Sequence, residues 1–430
     1  MSFQYQVSTG NAEAGWEIAP SENAWWVFGV LIAATCYQFV LCFLNTAGYG
    51  ISAALVGMSE VIILAACLPT LLRNIPIRMA LLMSAILVNF LLLTLIRGEI
   101  DAKGLRDMLL AAVFFWFGWN LRRAEIIDRL LIMLSLIVII FGVFEWASLD
   151  LYTKFFNTYR YYVSQGGIHD GHAMIQGQAL TLNGFRPEDI GRTILPGLLG
   201  SHRISSVFLE PVSMGNFATL IVVWALSKKE ASFRTMGVFF VAAAIMVTMA
   251  DSRFGLIMIA CLCVYRLVFP RGGGPFVFLL PILLVVFLTF MGIWSLGLGQ
   301  GDNIIGRLAR TGVVLSEMDV STLLGIQTPL ENYGDMGYAY VLSRFGAVFA
   351  LALWGALWLL PFKTDSQAAR FRAMGGLYMV MILSISGTSL FALKTAGLFW
   401  FVFGSLAVRD LQWPDETDPV YLASDNSNKE

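Results

Sequence analysis

The sequence predicts an all-α polytopic integral membrane protein of about 12 transmembrane helices. Three observations predict it. The chain is 57% hydrophobic and only 13% charged, whereas soluble domains carry about 25% charged residues. Apolar stretches long enough to cross a bilayer recur along the chain, and basic residues concentrate in alternate connections between them. A soluble protein could not cover so much apolar surface, so a soluble enzyme, a secreted disulfide scaffold and a disordered protein are excluded.

The predicted spans follow from length, because a helix needs about 20 mainly apolar residues to cross the hydrocarbon core. We predict one transmembrane domain over residues 1–430, with a polar tail at 1–23 and an acidic tail at 414–430. The spans lie at roughly 24–45, 50–72, 76–96, 105–121, 128–148, 212–227, 235–250, 253–269, 275–297, 336–360, 372–388 and 390–408.

The positive-inside rule predicts the orientation of these spans. With the N-terminus in the cytoplasm, the short inner connections and the residue after the last span carry most of the basic residues: Arg73, Arg78, Arg122, Arg123, Arg129, Lys228, Lys229, Arg234, Arg266, Arg271, Lys363, Arg370, Arg372 and Arg409. The short outer connections carry fewer: Arg97, Lys103, Arg106, Arg253 and Lys394. We therefore expect both termini in the cytoplasm.

Charge and cysteine content restrict the partners further. The net charge of −1 gives no indication of a nucleic-acid partner, and membrane lipids are the solvent that so apolar a surface requires. All five cysteines lie inside apolar runs and lack metal-ligand spacing to a histidine, so we interpret them as packing residues.

Two long connections, 150–210 and 298–335, interrupt the short hairpins, and both are predicted to lie on the outer side. Connections of this length are uncommon and usually functional. The first is rich in aromatic residues and contains every histidine of the chain. We expect partly helical, amphipathic segments here, lying along the outer membrane surface.

Ionisable residues in or beside spans are functional candidates, because a bilayer makes them costly. Glu210 precedes Pro211, and this pair suits the first turn of a helix. The Glu210 carboxylate either complements the helix dipole or lies at the mouth of a cavity, as a base or a ligand of sugar hydroxyls. Arg203 is either an interfacial anchor or a phosphate ligand.

Two further constellations lie at the outer ends of predicted spans. In Asp251-Ser-Arg-Phe-Gly255, the Asp–Arg pair either closes the hairpin or holds Arg253 as a rigid fork for a pyrophosphate. Asp335 is either an ordinary N-cap or a functional carboxylate, with Tyr338 on the same helix face. Arg344 follows inside the same span, and a buried guanidinium must be paired or hydrated.

The remaining polar candidates each leave two interpretations open. Arg307 and Arg310 stand three apart on a helical stretch and form either one basic face for an anion or a solvated interfacial helix. The pair His169–His172 lacks an evident third ligand, so we predict no metal there; His172 is a base, a sugar contact or part of a polar loop. Glu60 and Glu145 have no assigned partner.

At these constellations the sequence resembles the bacterial Wzy-type polysaccharide polymerases and O-antigen ligases, most of all the exopolysaccharide polymerases of xanthan-type gum clusters. The resembling elements are Arg203-Ile-Ser-Ser-Val-Phe-Leu-Glu-Pro211, Asp251-Ser-Arg-Phe-Gly255, and Asp335-Met-Gly-Tyr-Ala-Tyr340 with Gly346 after Arg344. They cover a small part of the chain, and the hydropathy profile with one large outer loop in each half adds to them. The resemblance implies a GT-C-like fold in a bacterial inner membrane.

The resemblance also implies an activity, that of an inverting membrane glycosyltransferase. Such an enzyme polymerises undecaprenyl-pyrophosphate-linked oligosaccharide repeat units at the periplasmic face. The donor is a growing lipid-linked glycan and the acceptor is a single lipid-linked repeat unit. Neither a nucleotide sugar, a metal nor a cofactor is expected, and a chain-length regulator or export protein is an expected partner.

The chemistry of this transfer predicts a role for each candidate residue. A pyrophosphate leaving group needs cationic ligands, for which the candidates are Arg203, Arg253, Arg307, Arg310 and Arg344. An attacking sugar hydroxyl needs a base, for which the candidates are Glu210, Asp335 and His172. Aromatic rings that could stack on sugars are Tyr159, Tyr161, Tyr162 and Tyr338.

Two alternatives stay open at this point. A ligase of the same fold would transfer a finished glycan once to a different acceptor. A twelve-span secondary transporter or lipid flippase is the alternative from another class. Transporters often show repeated halves, but the two long loops follow the fifth and ninth predicted spans, so halves of six spans do not superimpose.

Overall fold

The computed structural model describes residues 24–73, 75–121, 125–167, 180, 192–228, 233–295, 304–327, 333–334, 336–362, 366–387 and 389–408. Over these residues the chain is helical, and the described part contains no β-strand beyond an isolated antiparallel bridge between Phe362 and Ala407. The all-α prediction is therefore confirmed.

The described α-helices are, in chain order, α1 Ala24–Thr46, α2 Ala53–Leu71, α3 Ile77–Arg97, α4 Ala102–Trp119, α5 Glu125–Ala147, α6 Leu149–Phe155, α7 Thr158–Ser164, α8 Pro196–Leu199, α9 Pro211–Ser227, α10 Phe233–Ala250, α11 Arg253–Val268, α12 Gly274–Ser295, α13 Ile304–Glu317, α14 Val320–Leu323, α15 Gly337–Phe345, α16 Ala347–Leu359, α17 Ser366–Ile382 and α18 Leu393–Ser405. A 3₁₀ turn at Ser206–Phe208 precedes α9.

Five of the described helices are long and apolar enough to cross a membrane: α1, α2, α3, α5 and α12. Helices α15 and α16 meet at an angle of 107° and add a sixth if the bent pair is one span. Helices α9 and α10 are apolar but shorter. The chain is thus an α-helical membrane protein, as the composition predicted.

Side-chain caps mark the start of several described helices, among them α2, α4 and α11. Ser52 accepts a hydrogen bond from the backbone N–H of Leu55 at the start of α2. Asp101 does the same for Gly104 at the start of α4, with an O···N distance of 2.9 Å, and Ser252 caps α11. Each cap satisfies a backbone donor that has no partner inside its helix.

The core lies around α9, which packs against α10, α11 and α17. Its residues are buried from Pro211 to Ser227, with Val212 the exception. A helix that is apolar on all sides suits this central place, because it presents no polar face to a bilayer or to water. Burial of α9 brings Glu210, the residue before its first turn, inside the bundle.

Helices α4 and α18 pack closely through glycine. A Cβ atom on Gly118 of α4 would lie 1.8 Å from the carbonyl oxygen of Phe401, and one on Gly404 of α18 would lie 1.8 Å from that of Phe115. Small residues at a helix crossing let the backbones approach, which favours association inside a membrane. This contact brings the charged first turn of α4 close to Lys394 at the start of α18.

Both long connections contain described helices. The first holds α6, α7 and α8, so the expected helical segments are present, while their place on a membrane surface stays a prediction. In the second, α13 packs along α12, and a Cβ on Gly312 would lie 2.2 Å from the carbonyl oxygen of Leu288.

A sharp bend at Gly346 separates α15 from α16. Gly346 has a φ of +80°, and a Cβ there would lie 2.5 Å from the carbonyl oxygen of Leu324, so the position requires glycine. Arg97, at the end of α3, donates hydrogen bonds to the carbonyl oxygens of Gly325, Ser343 and Arg344. These bonds satisfy orphan carbonyls at the end of α15 and fix the turn that carries Arg344.

Candidate functional site

Glu210 lies at the centre of a group formed by α7, α9 and α18. Its carboxylate accepts hydrogen bonds from the Tyr162 hydroxyl at 2.9 Å and the Ser213 hydroxyl at 3.0 Å. The Lys394 ammonium lies 2.9 Å from Oε2 of Glu210. We call these four residues the Glu210 group. The predicted carboxylate and one predicted tyrosine, Tyr162, therefore contact each other.

The charge of Lys394 keeps Glu210 ionised. Burial by itself raises the pKa of the Glu210 carboxyl, but the ammonium of Lys394 and the three hydrogen bonds outweigh this and lower the pKa below its usual value. The side chain remains 30% exposed, whereas Lys394 is only 4% exposed. The carboxylate is thus accessible from outside while its counter-ion is enclosed.

Three side chains lead from Lys394 to α2. Lys394 donates to Oε1 of Gln38 at 3.0 Å, and Gln38 donates to the Tyr37 hydroxyl at 3.1 Å. Tyr37 donates in turn to Oε1 of Glu60 at 2.6 Å. We call Gln38, Tyr37 and Glu60 the bridge. Glu60, which had no partner in the sequence analysis, is thereby assigned one.

The chain of contacts continues through α4 to α15. Arg106 donates to Oε2 of Glu60 at 3.2 Å and, through Nε at 2.9 Å, to Asp107. The Tyr340 hydroxyl donates to the second oxygen of Asp107. The guanidinium of Arg344 lies over the Tyr340 ring, 4.8 Å from its centroid, within the range of a cation–π interaction.

This series of contacts ends where Arg344 pairs with the carboxylate of Asp101. Nη1 of Arg344 donates to Oδ1 of Asp101 at 2.5 Å, and the Arg344 side chain is 13% exposed. Arg97 lies 4.0 Å from the other oxygen of Asp101. We call Arg106, Asp107, Tyr340, Arg344 and Asp101 the Arg344 group. Arg344 is thus paired, as a buried guanidinium requires.

Together the two groups and the bridge form one polar network at the end of the bundle where α4, α9 and α18 begin. Each carboxylate in it is paired with a cation, which reduces the cost of placing ions beside a membrane core. Its carboxylates are Glu60, Asp101, Asp107 and Glu210, and the cations paired with them are Arg97, Arg106, Arg344 and Lys394. Such an arrangement can hold an ionised carboxylate, and a guanidinium that an anionic ligand could take over from Asp101.

An apolar groove of about 400 Å³ adjoins the Arg344 group. Its walls come from α3, α4, α12 and α14 to α18, and include Ile86, Phe115, Val285, Phe345, Trp354 and Trp400. A small pocket lined by Arg97, Asp101 and Arg344 shares Ile86 and Phe345 with this groove. Volume and lining suit an apolar ligand chain whose head group is charged.

The Asp251–Arg253 pair that the sequence suggested is not formed. Asp251 is buried and instead accepts hydrogen bonds from the hydroxyl of Thr193 at 2.7 Å and from the backbone N–H of Ile194 at 2.9 Å. It therefore fastens the first long connection to the turn between α10 and α11. Arg253 is half-buried, and no described residue is paired with it.

The structure also gives partners to Arg203 and Glu145. Arg203 donates to the carbonyl oxygen of Ala250 at 3.1 Å. Glu145, fully buried in α5, accepts hydrogen bonds from the backbone N–H groups of Ser205 and Ser206. Both residues thus hold the segment before α9, and the phosphate-ligand role of Arg203 stays a prediction.

The other predicted residues lie in different surroundings. Arg307 and Arg310 are half-buried on α13, respectively one turn and one residue before Thr311. The Thr311 hydroxyl donates to the carbonyl oxygen of Ser384. Tyr161 is fully buried beside Tyr162, and Tyr338 is 5% exposed. Tyr159 is half-buried on α7. Of the four predicted tyrosines, Tyr162 is the one that donates a hydrogen bond to Glu210.

Two predicted bases, His172 and Asp335, lie outside the described residues, as do both tails. Among the described residues no cluster of three or more His, Cys, Asp or Glu side chains could hold a metal ion. The expectation of a reaction without a metal stays a prediction.

Sequence reasoning missed half of the polar network. Asp101, Asp107, Tyr37 and Tyr340 were not singled out, and Arg106 was counted only as an outer basic residue. One signal was available: Arg106 and Asp107 both fall within the predicted span 105–121, where charge is costly. Their partners are far away in the chain and could not be identified from spacing.

No protein-family model, no curated protein and no solved structure matches this chain. The short motifs that resemble polysaccharide polymerases are therefore not extended by any whole-chain similarity. Function has to be inferred from the residues of the site.

Proposed function

We propose that the protein polymerises undecaprenyl-pyrophosphate-linked oligosaccharide repeat units into exopolysaccharide by inverting glycosyl transfer at the periplasmic face of the inner membrane. One observation carries this proposal: Arg344, a member of the polar network that also holds the ionised Glu210, lines a small pocket that adjoins an apolar groove. An amphiphile with an anionic head group fits such a place. The sequence motifs supply the substrate class.

The donor lipid fits the groove and the Arg344 group. Its isoprenoid chain would lie along the apolar walls, and its pyrophosphate would compete with Asp101 for the Arg344 fork. Arginine binds phosphate oxygens bidentately and so stabilises the charge that develops on the leaving group. The half-buried Arg253, which has no described partner, is a second ligand for this charge.

Glu210 serves the acceptor. The acceptor hydroxyl oxygen forms a bond to the anomeric carbon of the donor, and the bond from that carbon to the pyrophosphate oxygen breaks with its electron pair on the pyrophosphate. The hydroxyl proton passes to Glu210, which Lys394 keeps ionised and ready to accept it. Attack from the face opposite the leaving group inverts the anomeric centre.

The proposed topology has 12 spans in a GT-C-like arrangement. These are α1 to α5, α9 to α12, the bent pair α15–α16, α17 and α18. Both termini are cytoplasmic, and the polar network faces the periplasm. Neither a metal nor a cofactor takes part in this scheme, and a chain-length regulator or export protein is a proposed partner.

Purified protein in nanodiscs, supplied with lipid-linked repeat units, tests this function. A ladder of lengthening products supports a polymerase. Arg344→Ala and Arg253→Ala are expected to lower the rate of elongation by about 100-fold, and Glu210→Gln by at least about that factor. Arg160→Ala, at an exposed position on α7, is the matched control. Unchanged elongation in the first three variants, with normal insertion, would refute the proposed roles.

Two other outcomes correspond to the alternative functions. A single transfer to a foreign acceptor, without a ladder, indicates a ligase of the same fold. The 107° bend between α15 and α16 favours a transporter as the other alternative, because transporters often build substrate sites at broken helices. Movement of the labelled lipid across a vesicle membrane without glycan growth would identify a transporter.

A further inference from the structure

The bridge of Gln38, Tyr37 and Glu60 joins the Glu210 group to the Arg344 group. Tyr37 and Gln38 are neighbours on α1, and Glu60 lies seven residues into α2, both membrane-capable helices. Polar side chains at such positions are costly and need a compensating role. None of the three lines the apolar groove.

Each member of the bridge is hydrogen-bonded to a neighbour on both sides. Lys394 has three N–H donors, and they have three acceptors: Glu210, Gln38 and the carbonyl oxygen of Phe208. At the other end, one oxygen of Glu60 accepts from Tyr37 and the other from Arg106. Each member is therefore held by its neighbours on both sides.

The same pattern continues in the Arg344 group. Asp107 accepts from Arg106 on one oxygen and from Tyr340 on the other. The Tyr340 ring carries the guanidinium of Arg344 on one side and contacts Phe345 and Phe391 of the groove wall. The position of Asp107 thus determines where the Tyr340 ring stands beneath Arg344.

We propose that Tyr37, Gln38 and Glu60 are positioning residues that couple the Glu210 group to the Arg344 group. Loss of one link leaves a buried donor or acceptor without a partner, and the neighbouring groups must rearrange to satisfy it. The roles of the two ends rest on the proposed function, but the coupling between them does not.

The coupling is one of position and not of proton transfer. Gln38 accepts from Lys394 through its carbonyl oxygen and donates to Tyr37 through its amide nitrogen. An amide does not exchange a proton between these two atoms without changing its tautomer, so the bridge does not relay a proton from Glu210 to Glu60. It holds the Glu210 carboxylate and the Arg344 guanidinium at fixed relative positions when a substrate displaces one of them.

Hydrogen exchange of the full-length protein in nanodiscs, without substrate, tests the coupling. Tyr37→Phe removes one hydroxyl and keeps the ring, and Glu60→Gln keeps the shape of the side chain. Each is expected to speed amide exchange by about three- to tenfold in α15 and in the first turn of α18, as the loss of one buried hydrogen bond predicts. Gln38→Met removes the amide that joins Lys394 to Tyr37 and so interrupts the same path at another point; it replaces Glu60→Gln if that variant does not fold.

The double variant Tyr37→Phe/Glu60→Gln distinguishes coupling from local damage. Because both changes interrupt the same path between Gln38 and Arg106, their effects on exchange in α15 are expected to be clearly less than additive. Tyr265→Phe is the matched control. This buried tyrosine, near the C-terminal end of α11, donates to the carbonyl oxygen of Gly272 and is expected to leave amide exchange in α15 unchanged. Unchanged exchange in α15 for Tyr37→Phe, or fully additive effects, would overturn the coupling.

Elongation assays on the same preparations separate this proposal from the proposed function. If Tyr37→Phe speeds exchange at both ends while the unmodified protein elongates no lipid-linked repeat unit, the coupling stands and the function is wrong. If the unmodified protein elongates and Tyr37→Phe exchanges like it in α15, the function stands and the coupling is wrong. If both hold, Tyr37→Phe should lower kcat more than it changes KM, since substrate-binding groups remain.

Discussion

At the scale of single residues, the pair Glu210–Lys394 predicts a pH dependence. The ammonium of Lys394 lowers the pKa of the Glu210 carboxyl, so the base stays ionised as pH falls through the usual carboxyl range. Lys394→Met removes this effect while burial, which raises the pKa, remains. The acid limb of the pH profile of kcat/KM for repeat-unit transfer should therefore move to higher pH.

An exposed lysine provides the control for this prediction. Lys154 lies on α6 with its side chain in solvent, so Lys154→Met should leave the acid limb in place. A limb that does not move in Lys394→Met would show that the ionisation of Glu210 does not limit the reaction.

The environment of His202 predicts that the stability of the fold depends on pH. Burial lowers the pKa of this histidine, and the neighbouring Arg192 lowers it further. Its Nε2 atom is buried, and no described group bonds to it. Since the unfolded chain takes up a proton near pH 6.5 and the folded chain only at lower pH, stability should fall as pH drops below about 6.5.

Thermal unfolding at pH 7.5 and pH 5.5 checks this prediction. The loss of Tm between the two pH values should be smaller in His202→Asn than in the unmodified protein. His169→Asn and His172→Asn are controls of the same chemistry, and both should retain the full loss. An equal loss in His202→Asn would mean that this histidine is not the group that titrates.

At the scale of helices, the crossing of α4 and α18 depends on Gly404. A methyl group there would lie 1.8 Å from the carbonyl oxygen of Phe115, and backbone cannot rotate away as a side chain can. Gly404→Ala should therefore separate the helices and destabilise the fold by about 1–3 kcal/mol. It should also slow transfer, because Lys394 begins the same helix.

Gly237 offers the matched substitution on α10. A Cβ there meets no atom within 4 Å, so Gly237→Ala should leave stability unchanged or raise it by up to about 1 kcal/mol through helix propensity. Comparison of the two thermal unfolding curves isolates the contact from the general effect of replacing glycine. Equal effects of both substitutions would show that the α4–α18 contact contributes little.

At the scale of the whole molecule, the sequence predicts helices better than it predicts the site. Apolar runs are a local property, so the stretches around α1, α2 and α3 could be located from composition alone. The stretch 336–360 was predicted as one span, whereas the chain turns by 107° at Gly346. That glycine, two residues after a charged Arg344, is the signal that favoured a break.

The sequence predicted single residues of the site but not the pairs that they form. The cost of charge near a bilayer identified Glu210 and Arg344, but neither Asp101 nor Asp107 as a partner. The hydrogen bond between Tyr340 and Asp107 joins residues 233 positions apart in the chain, and that between Arg344 and Asp101 joins residues 243 apart. Pairs at such separations depend on how helices pack, which one sequence does not specify.

The two ends of the bundle also differ in charge, and this difference predicts the orientation. The polar network lies where α4, α9 and α18 begin. At their other ends lie basic residues: Lys228 pairs with Asp128, and Arg370 donates to the carbonyl oxygen of Ser227. By the positive-inside rule, this difference predicts that the second end lies in the cytoplasm and the network outside.

Reporter fusions test this orientation and the count of spans together. A fluorescent protein that folds only in the cytoplasm should fluoresce when fused after residue 430 or inserted between α9 and α10. Alkaline phosphatase, which is active only outside, should be active when inserted after α7 or within 298–335, and inactive between α9 and α10. Since each intervening span reverses the side, phosphatase activity between α9 and α10 would contradict the 12-span topology and place the polar network away from a periplasmic substrate.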